Sequence, residues 1–196
     1  MMNKLSPGNR SRLLNGLKDH VNADFGLTYI KVTWELLKLQ PSNQKLYIEV
    51  CEILREVFGS ANNEQMWQTV FNDYVENRYW IGVHGAVPPS PNEYDRYCEY
   101  VKWKKCAMAA ASGLCHLISA SVIELNVRTL VEHILSGEAN VADRSDQLMA
   151  LVETRIPLGE SKQMIKSYCK TVHTGDLDSL TQFKLVELEK KLSKAC

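Results

Sequence analysis

Apolar residues recur at steps of three and four along most of this chain, and the rhythm breaks where proline, glycine or a capping residue stands. Ser11 to Leu17 makes a short helical turn, broken between Asp19 and Asp24. Leu27, Ile30, Trp34 and Leu37 then keep the spacing of an amphipathic helix, which Gln40-Pro41-Ser42-Asn43 ends. Leu46, Val50, Ile53, Leu54 and Val57 line one face of a third helix, stopped by Gly59-Ser60. After Asn62-Asn63, the pairs Met66-Trp67, Val70-Phe71 and Tyr74-Val75 repeat every four residues, as a well-buried fourth helix requires.

The stretch from Ser90 to Gly137 organises the rest. Ser90-Pro91-Asn92-Glu93 combines a capping serine, a proline at the first helical position and a glutamate able to bond back to the cap. No proline or paired glycine follows before Ser119-Ala120-Ser121, so the pattern predicts one helix of about 28 residues, about 42 Å long. Its second half, Cys106 to Ala111 and Gly113 to Ile118, is small or apolar on most sides, which requires burial by several neighbours at close approach. A helix from Val122 to Leu135 follows, with Gly137 as its stop. Asp143 is the predicted cap of a helix holding Leu148, Leu151 and Val152, which stops before Pro157-Leu158-Gly159. Met164, Ile165, Tyr168 and Val172 mark the next, and a capping box at Ser179-Leu180-Thr181-Gln182 starts the last, through Leu185, Leu188 and Leu192.

No sustained alternation and no Asn-Gly or Asp-Gly hairpin signal points to strands. The expected architecture is therefore all-α: stacked antiparallel helical hairpins of a HEAT-like solenoid, about eight or nine helices in a single domain over residues 1–196. Residues 1–9 are expected to form a flexible N-terminal segment, and residues 82–91 a proline-rich loop.

Composition narrows the class without deciding it. A hydrophobic content of 45% supports a substantial core. The 23 basic and 23 acidic residues cancel, which excludes a polybasic protein but not a local basic patch. Six cysteines (51, 98, 106, 115, 169 and 196) never form CxxC and mostly sit in apolar helical patterns, so they read as reduced core residues of an intracellular protein. The N-terminus has no secretion-type apolar run, and lysines flank the Ala-rich run, so neither export nor a membrane span is expected.

Catalytic and metal chemistry finds little purchase. Cys115-His116 is the one tempting pair, but adjacent helical residues point about 100° apart, so a buried thiol and a partly buried imidazole are the simpler roles. The five histidines are scattered, and no Cys or His pair has zinc-ligand spacing. No glycine-rich phosphate loop and no GxSxG elbow occur. The expectation is a chain with no catalytic residues, metal or cofactor. Lys162, Lys166 and Lys170 stack on one helix face and Lys184 lies beyond them; such a stripe is either tolerated in water or useful against phosphates as a weak RNA contact.

The order of these segments resembles the middle domain of translation initiation factor 4G, a stack of HEAT-type hairpins. Ser11-Arg12-Leu13-Leu14-Asn15-Gly16-Leu17 with Phe25 is similar to that family's Arg-Ser-Ile-Leu-Asn-Lys-Leu signature and downstream Phe. Leu46 to Phe58 resembles its third helix, and Ala111-Ser112-Gly113-Leu114 its Phe-Ile-Gly-Glu-Leu. Asp146 to Val152 resembles its Glu-x-Leu-x-x-Leu-Leu, and Ser179 to Leu188 its closing Ser-x-Ile-Arg-Phe-Met-Leu. The resemblance implies a cytoplasmic scaffold without catalysis that docks a DEAD-box RNA helicase through Leu14, Leu17 and Phe25 and touches RNA non-specifically. The family's Tyr-x4-Leu-apolar peptide for the cap-binding protein is missing: at that spacing Tyr29 and Tyr47 are followed by Trp34-Glu35 and Glu52-Ile53, so no direct contact with that protein is implied. Relatives of the same fold serve mRNA decay, deadenylation and nuclear cap binding. A helical-repeat binding module without helicase activation is the alternative reading, and an enzyme with a dispersed site a third.

Overall fold

The alanine-rich run becomes the centre of the packing. The computed structural model describes residues 41–60, 94–123, 125–137, 139–172 and 177–194, with isolated positions between 8 and 36. A 3-10 turn, Pro41–Asn43, leads into α1 (Gln44–Ser60); α2 (Tyr94–Ser119), α3 (Val127–Ser136), α4 (Val141–Glu153), α5 (Ser161–Val172) and α6 (Ser179–Lys194) follow. Among the described residues there is no strand, and no helix is long and apolar enough to cross a membrane. The expected fourth helix around Met66 to Val75, the Ser90 start signal, the 82–91 loop and the residues Leu14, Leu17 and Phe25 lie outside the described residues. So do Leu27, Ile30, Trp34 and Leu37, although Tyr29, Val32 and Leu36 between them are helical.

α2 is buried over most of its C-terminal half. Ala107, Ala109, Ala110, Ala111, Gly113, Leu114, Cys115 and Leu117 are all buried, a set that covers about two thirds of the helix circumference. Small side chains make this possible, because helices can approach closely over alanine and glycine. α1 and α3 pack on α2, but its most extensive neighbour is α4, which in turn carries α6; α5 closes against α3 and α6. One continuous core results, with Leu54, Leu114, Leu117, Leu130, Ile134 and Leu148 fully buried. Each such side chain contributes about 1.5 to 3 kcal/mol of transfer free energy. On α1 the predicted face holds for Val50, Ile53, Leu54 and Val57, while Leu46 is only half-buried and Tyr47 takes the inner place.

Two helix starts and the cap of a third helix differ from those the sequence predicts. α3 begins at Val127, five residues after the expected Val122, because Asn126 accepts the Thr129 N–H at 2.8 Å and caps the helix there. Val122 and Ile123 are buried in the corner instead. α4 is capped by Asn140, whose side chain accepts the Asp143 N–H at 2.8 Å; Asp143 sits one turn inside and faces inward, 1% exposed. α6 starts at Ser179 as expected, but the cap is Asp178, which accepts from the Thr181 backbone N–H (3.0 Å) and hydroxyl (2.6 Å). Those bonds hold the Asp178 carboxyl below its usual range.

The end of α2 shows how the corner is made. Val122 N–H reaches the Leu117 carbonyl and Ser121 N–H the Ile118 carbonyl, both at 2.9 Å, the pair of bonds that defines a Schellman stop. Ser121 occupies the left-handed position of that motif with φ of 54°, and the Arg55 guanidinium donates to its carbonyl oxygen. A left-handed L-residue costs about 1 to 2 kcal/mol, whereas glycine there gives back part of the gain through a more flexible unfolded chain. Ser121→Gly is therefore expected to raise stability by about 0.5 to 1 kcal/mol, read by chemical denaturation at neutral pH; a loss of stability would show that the serine hydroxyl, not the backbone, dominates this corner.

Candidate functional site

In the second half of α2 one stripe of half-buried side chains is left between the neighbouring helices. Met108, Ser112 and His116 follow one another at four-residue steps, and Cys98, Lys102 and Lys105 extend the stripe toward the N-terminal half. These side chains line a groove of about 680 Å³, walled by Gln44 at the start of α1 and by Ala150, Glu153 and Thr154 at the end of α4. The groove exists because Ala109 and Ala150 are too small to fill the space between the helices.

The walls are fixed by hydrogen bonds. Gln44 is 8% exposed; its amide donates to the Ala109 carbonyl at 2.8 Å and its side-chain oxygen accepts from the Ser112 hydroxyl at 3.1 Å. The Thr154 hydroxyl donates to the Leu151 carbonyl at 2.7 Å, and Glu153 is paired with Lys191. Lys102 and Lys105 are exposed at the rim. Burial lowers the pKa of His116, so its imidazole is neutral at pH 7 and offers hydrogen bonds, not charge. Cys115 turns into the core beside Thr154, 3.5 Å from its hydroxyl, and burial pushes the thiol up; the tempting pair Cys115-His116 thus faces two different environments.

A second polar constellation lies in the seam between α2 and α4. Tyr100 donates its hydroxyl proton to Asp143 at 2.7 Å, and Lys104 lies 3.3 Å from Asp143 and 2.5 Å from Asp146. Lys184 of α6 reaches the same Asp146 oxygen at 2.7 Å. Burial works against the Lys104 charge, but Asp146 outweighs it and holds the ammonium above the usual lysine range. Burial and the bond to Asp143 push the Tyr100 phenol up to about 12.

The lysines singled out from the sequence therefore fall into two groups. Lys162, Lys166 and Lys170 share α5, the first two half-buried and the third exposed. Lys184 lies on α6, 20% exposed and drawn inward by Asp146. Among the described residues no group of three His, Cys, Asp or Glu side chains is placed to hold a metal, and Cys51, Cys98, Cys106, Cys115 and Cys169 are free thiols.

One surface escaped the sequence reading. On α6, Leu180 and Phe183 are each 63% exposed and Val186 is 52% exposed. The signal was present in the wheel: these three fall off the Thr181, Leu185, Leu188 and Leu192 stripe that packs inward. No protein family, curated protein or solved structure matches the chain.

Proposed function

We propose that this chain is a non-catalytic helical scaffold of the HEAT-solenoid type, and that it docks a DEAD-box RNA helicase in translation initiation in the manner of the initiation factor 4G middle domain. The observation that supports a scaffold is the groove along α2. From Cys98 to His116 it follows about 27 Å of helix and is partly open to solvent, with exposed lysines at the rim and a neutral imidazole at one end. Such a surface suits an elongated partner better than a small substrate, which is usually enclosed on most sides. Layered packing, with α4 on α2 and α6 on α4, is consistent with hairpins stacked as a solenoid. The helicase assignment rests on the resemblance of residues 11–25, and a cytoplasmic location goes with it. The exposed apolar side of α6 favours a second reading, a protein-binding module in mRNA decay, deadenylation or nuclear cap binding that activates no helicase.

Helicase affinity separates the two readings. The combination of Leu17→Ala and Phe25→Ala is expected to weaken binding of an initiation-type DEAD-box helicase by roughly five- to thirtyfold, the usual loss of about 1 to 2 kcal/mol for a truncated apolar anchor. The wild-type chain is also expected to raise the helicase's ATP turnover by favouring its competent arrangement. Wild-type affinity in a folded double variant moves the docking site away from Leu17 and Phe25, whereas a wild-type chain that neither binds nor stimulates the helicase removes the helicase reading and leaves the binding module.

RNA contact falls in this reading to Lys162, Lys166 and Lys170. Binding to a single-stranded RNA is expected to weaken steeply with salt, with a slope smaller by about 0.7 for each lysine replaced by alanine. An unchanged slope in the triple variant excludes this stripe.

A further inference from the structure

Helix α6 has two apolar sides, and the fold uses one. Thr181, Leu185, Leu188 and Leu192 are buried against the helices below. On the other side Leu180, Phe183 and Val186 stand at three-residue steps, each more than half exposed. Side chains at that spacing form a continuous ridge, the feature that another helix accommodates between its own rows. Lys190 and Lys194 continue the same side, seven and eleven residues after Phe183, and so lie in line with it. Lys190 also reaches Glu187 at 3.3 Å; the lysine is exposed and the glutamate half-buried at the surface, and such a pair costs little to exchange. The surface is thus apolar along its first half, while its second half carries Lys190 and Lys194 with the single carboxylate of Glu187, a net positive end, over about 21 Å from Leu180 to Lys194.

We infer that the outer side of α6 docks an acidic amphipathic helix of another protein, its apolar row seated on Leu180, Phe183 and Val186 and its carboxylates against Lys190 and Lys194. Charge complementarity decides among occupants. A second copy of the chain aligned in parallel sets lysine against lysine. Aligned antiparallel, it offers these lysines Asp178, whose carboxylate is already committed to the Thr181 N–H and hydroxyl. Nucleic acid is held chiefly by many phosphate contacts, and two lysines beside three aliphatic or aromatic side chains form a poor electrostatic track. A helix carrying both an apolar row and carboxylates satisfies the two halves together. The residues of this surface are different from those through which a helicase is proposed to dock, so either assignment stands if the other fails.

The test uses the whole chain and two fluorescein-labelled, lactam-bridged peptides of about 15 residues. They share a leucine row at helical spacing and differ in carrying glutamates or lysines beside it. Fluorescence anisotropy is expected to show the glutamate peptide binding at least roughly tenfold more tightly than its lysine twin. Phe183→Asp, with its melting temperature unchanged, is expected to cost at least roughly tenfold for the glutamate peptide, and Leu180→Ser gives the same reading should the aspartate variant fail to fold. Charge reversal of Lys190 and Lys194 to glutamate is expected to switch the preference to the lysine peptide. The proposal is overturned if neither peptide binds, if both bind alike, or if the preference survives charge reversal. It is equally overturned if Phe183→Asp leaves the peptide bound but abolishes self-association in sedimentation, or binding to an RNA oligomer, since the surface then belongs to that occupant.

Discussion

A carboxylate taken out of water sits at the joint on which the other helices depend. Asp143 is 1% exposed in the seam between α2 and α4, where an unpaired charge costs several kcal/mol. Tyr100 and Lys104 from α2 meet it, and Lys104 then bridges to Asp146, which also holds Lys184 of α6. Three helices are thereby fixed in mutual register by one polar chain, which apolar packing alone specifies less sharply. Its satisfaction is incomplete: the second Asp143 oxygen, the Gln147 carbonyl oxygen and the Trp103 indole N–H are buried with no hydrogen-bond partner among the described residues. Each unmet group costs about 1 to 3 kcal/mol, so the seam is held by apolar burial around it as much as by its own bonds.

The groove and the exposed ridge follow from that joint. Once α4 is fixed on α2, the alanine-rich half of α2 is covered except for the half-buried stripe of Met108, Ser112 and His116, and that stripe becomes the groove floor. Once α6 is fixed on α4 by Lys184 and Lys191, its Leu185 and Leu188 face inward and Phe183 necessarily faces out. Groove and ridge are two consequences of one packing arrangement. An extended groove and an exposed amphipathic ridge are features of a molecule that holds others, the basis of the scaffold reading.

Much of this was legible in the chain. The near-uniform apolar character of Cys106 to Ile118 could only mean a helix surrounded by neighbours, and the three- and four-residue spacing of Leu185, Leu188 and Leu192 identified the inner side of α6. What escaped was the choice among competing polar residues. Asn140 and Asp143 are both good caps three residues apart, and only the demand for a partner to Tyr100 and Lys104 assigns the asparagine to the cap and the aspartate to the interior. Val122 and Ile123 fit a helical period, yet the Schellman stop at Ser121 delays the next helix to Val127. The groove was illegible for a different reason: it is defined by which sides of α1 and α4 reach α2, and periodicity within one helix carries no information about that.

The seam is tested most directly by comparing the unfolding free energy of the wild-type chain and Tyr100→Phe from pH 7 to pH 12. The folded phenol keeps its proton up to about 12, above the ordinary value of 10.0, so the stability it contributes is fully present below pH 10 and is lost as the pH rises through 12. The account predicts that the variant is less stable by about 1.5 kcal/mol at pH 7, as expected for a hydrogen bond to a charged acceptor, and that the difference closes between pH 10 and pH 12. Equal stability at pH 7, or a difference that persists undiminished to pH 12, would contradict the claim that this bond to Asp143 anchors the helices.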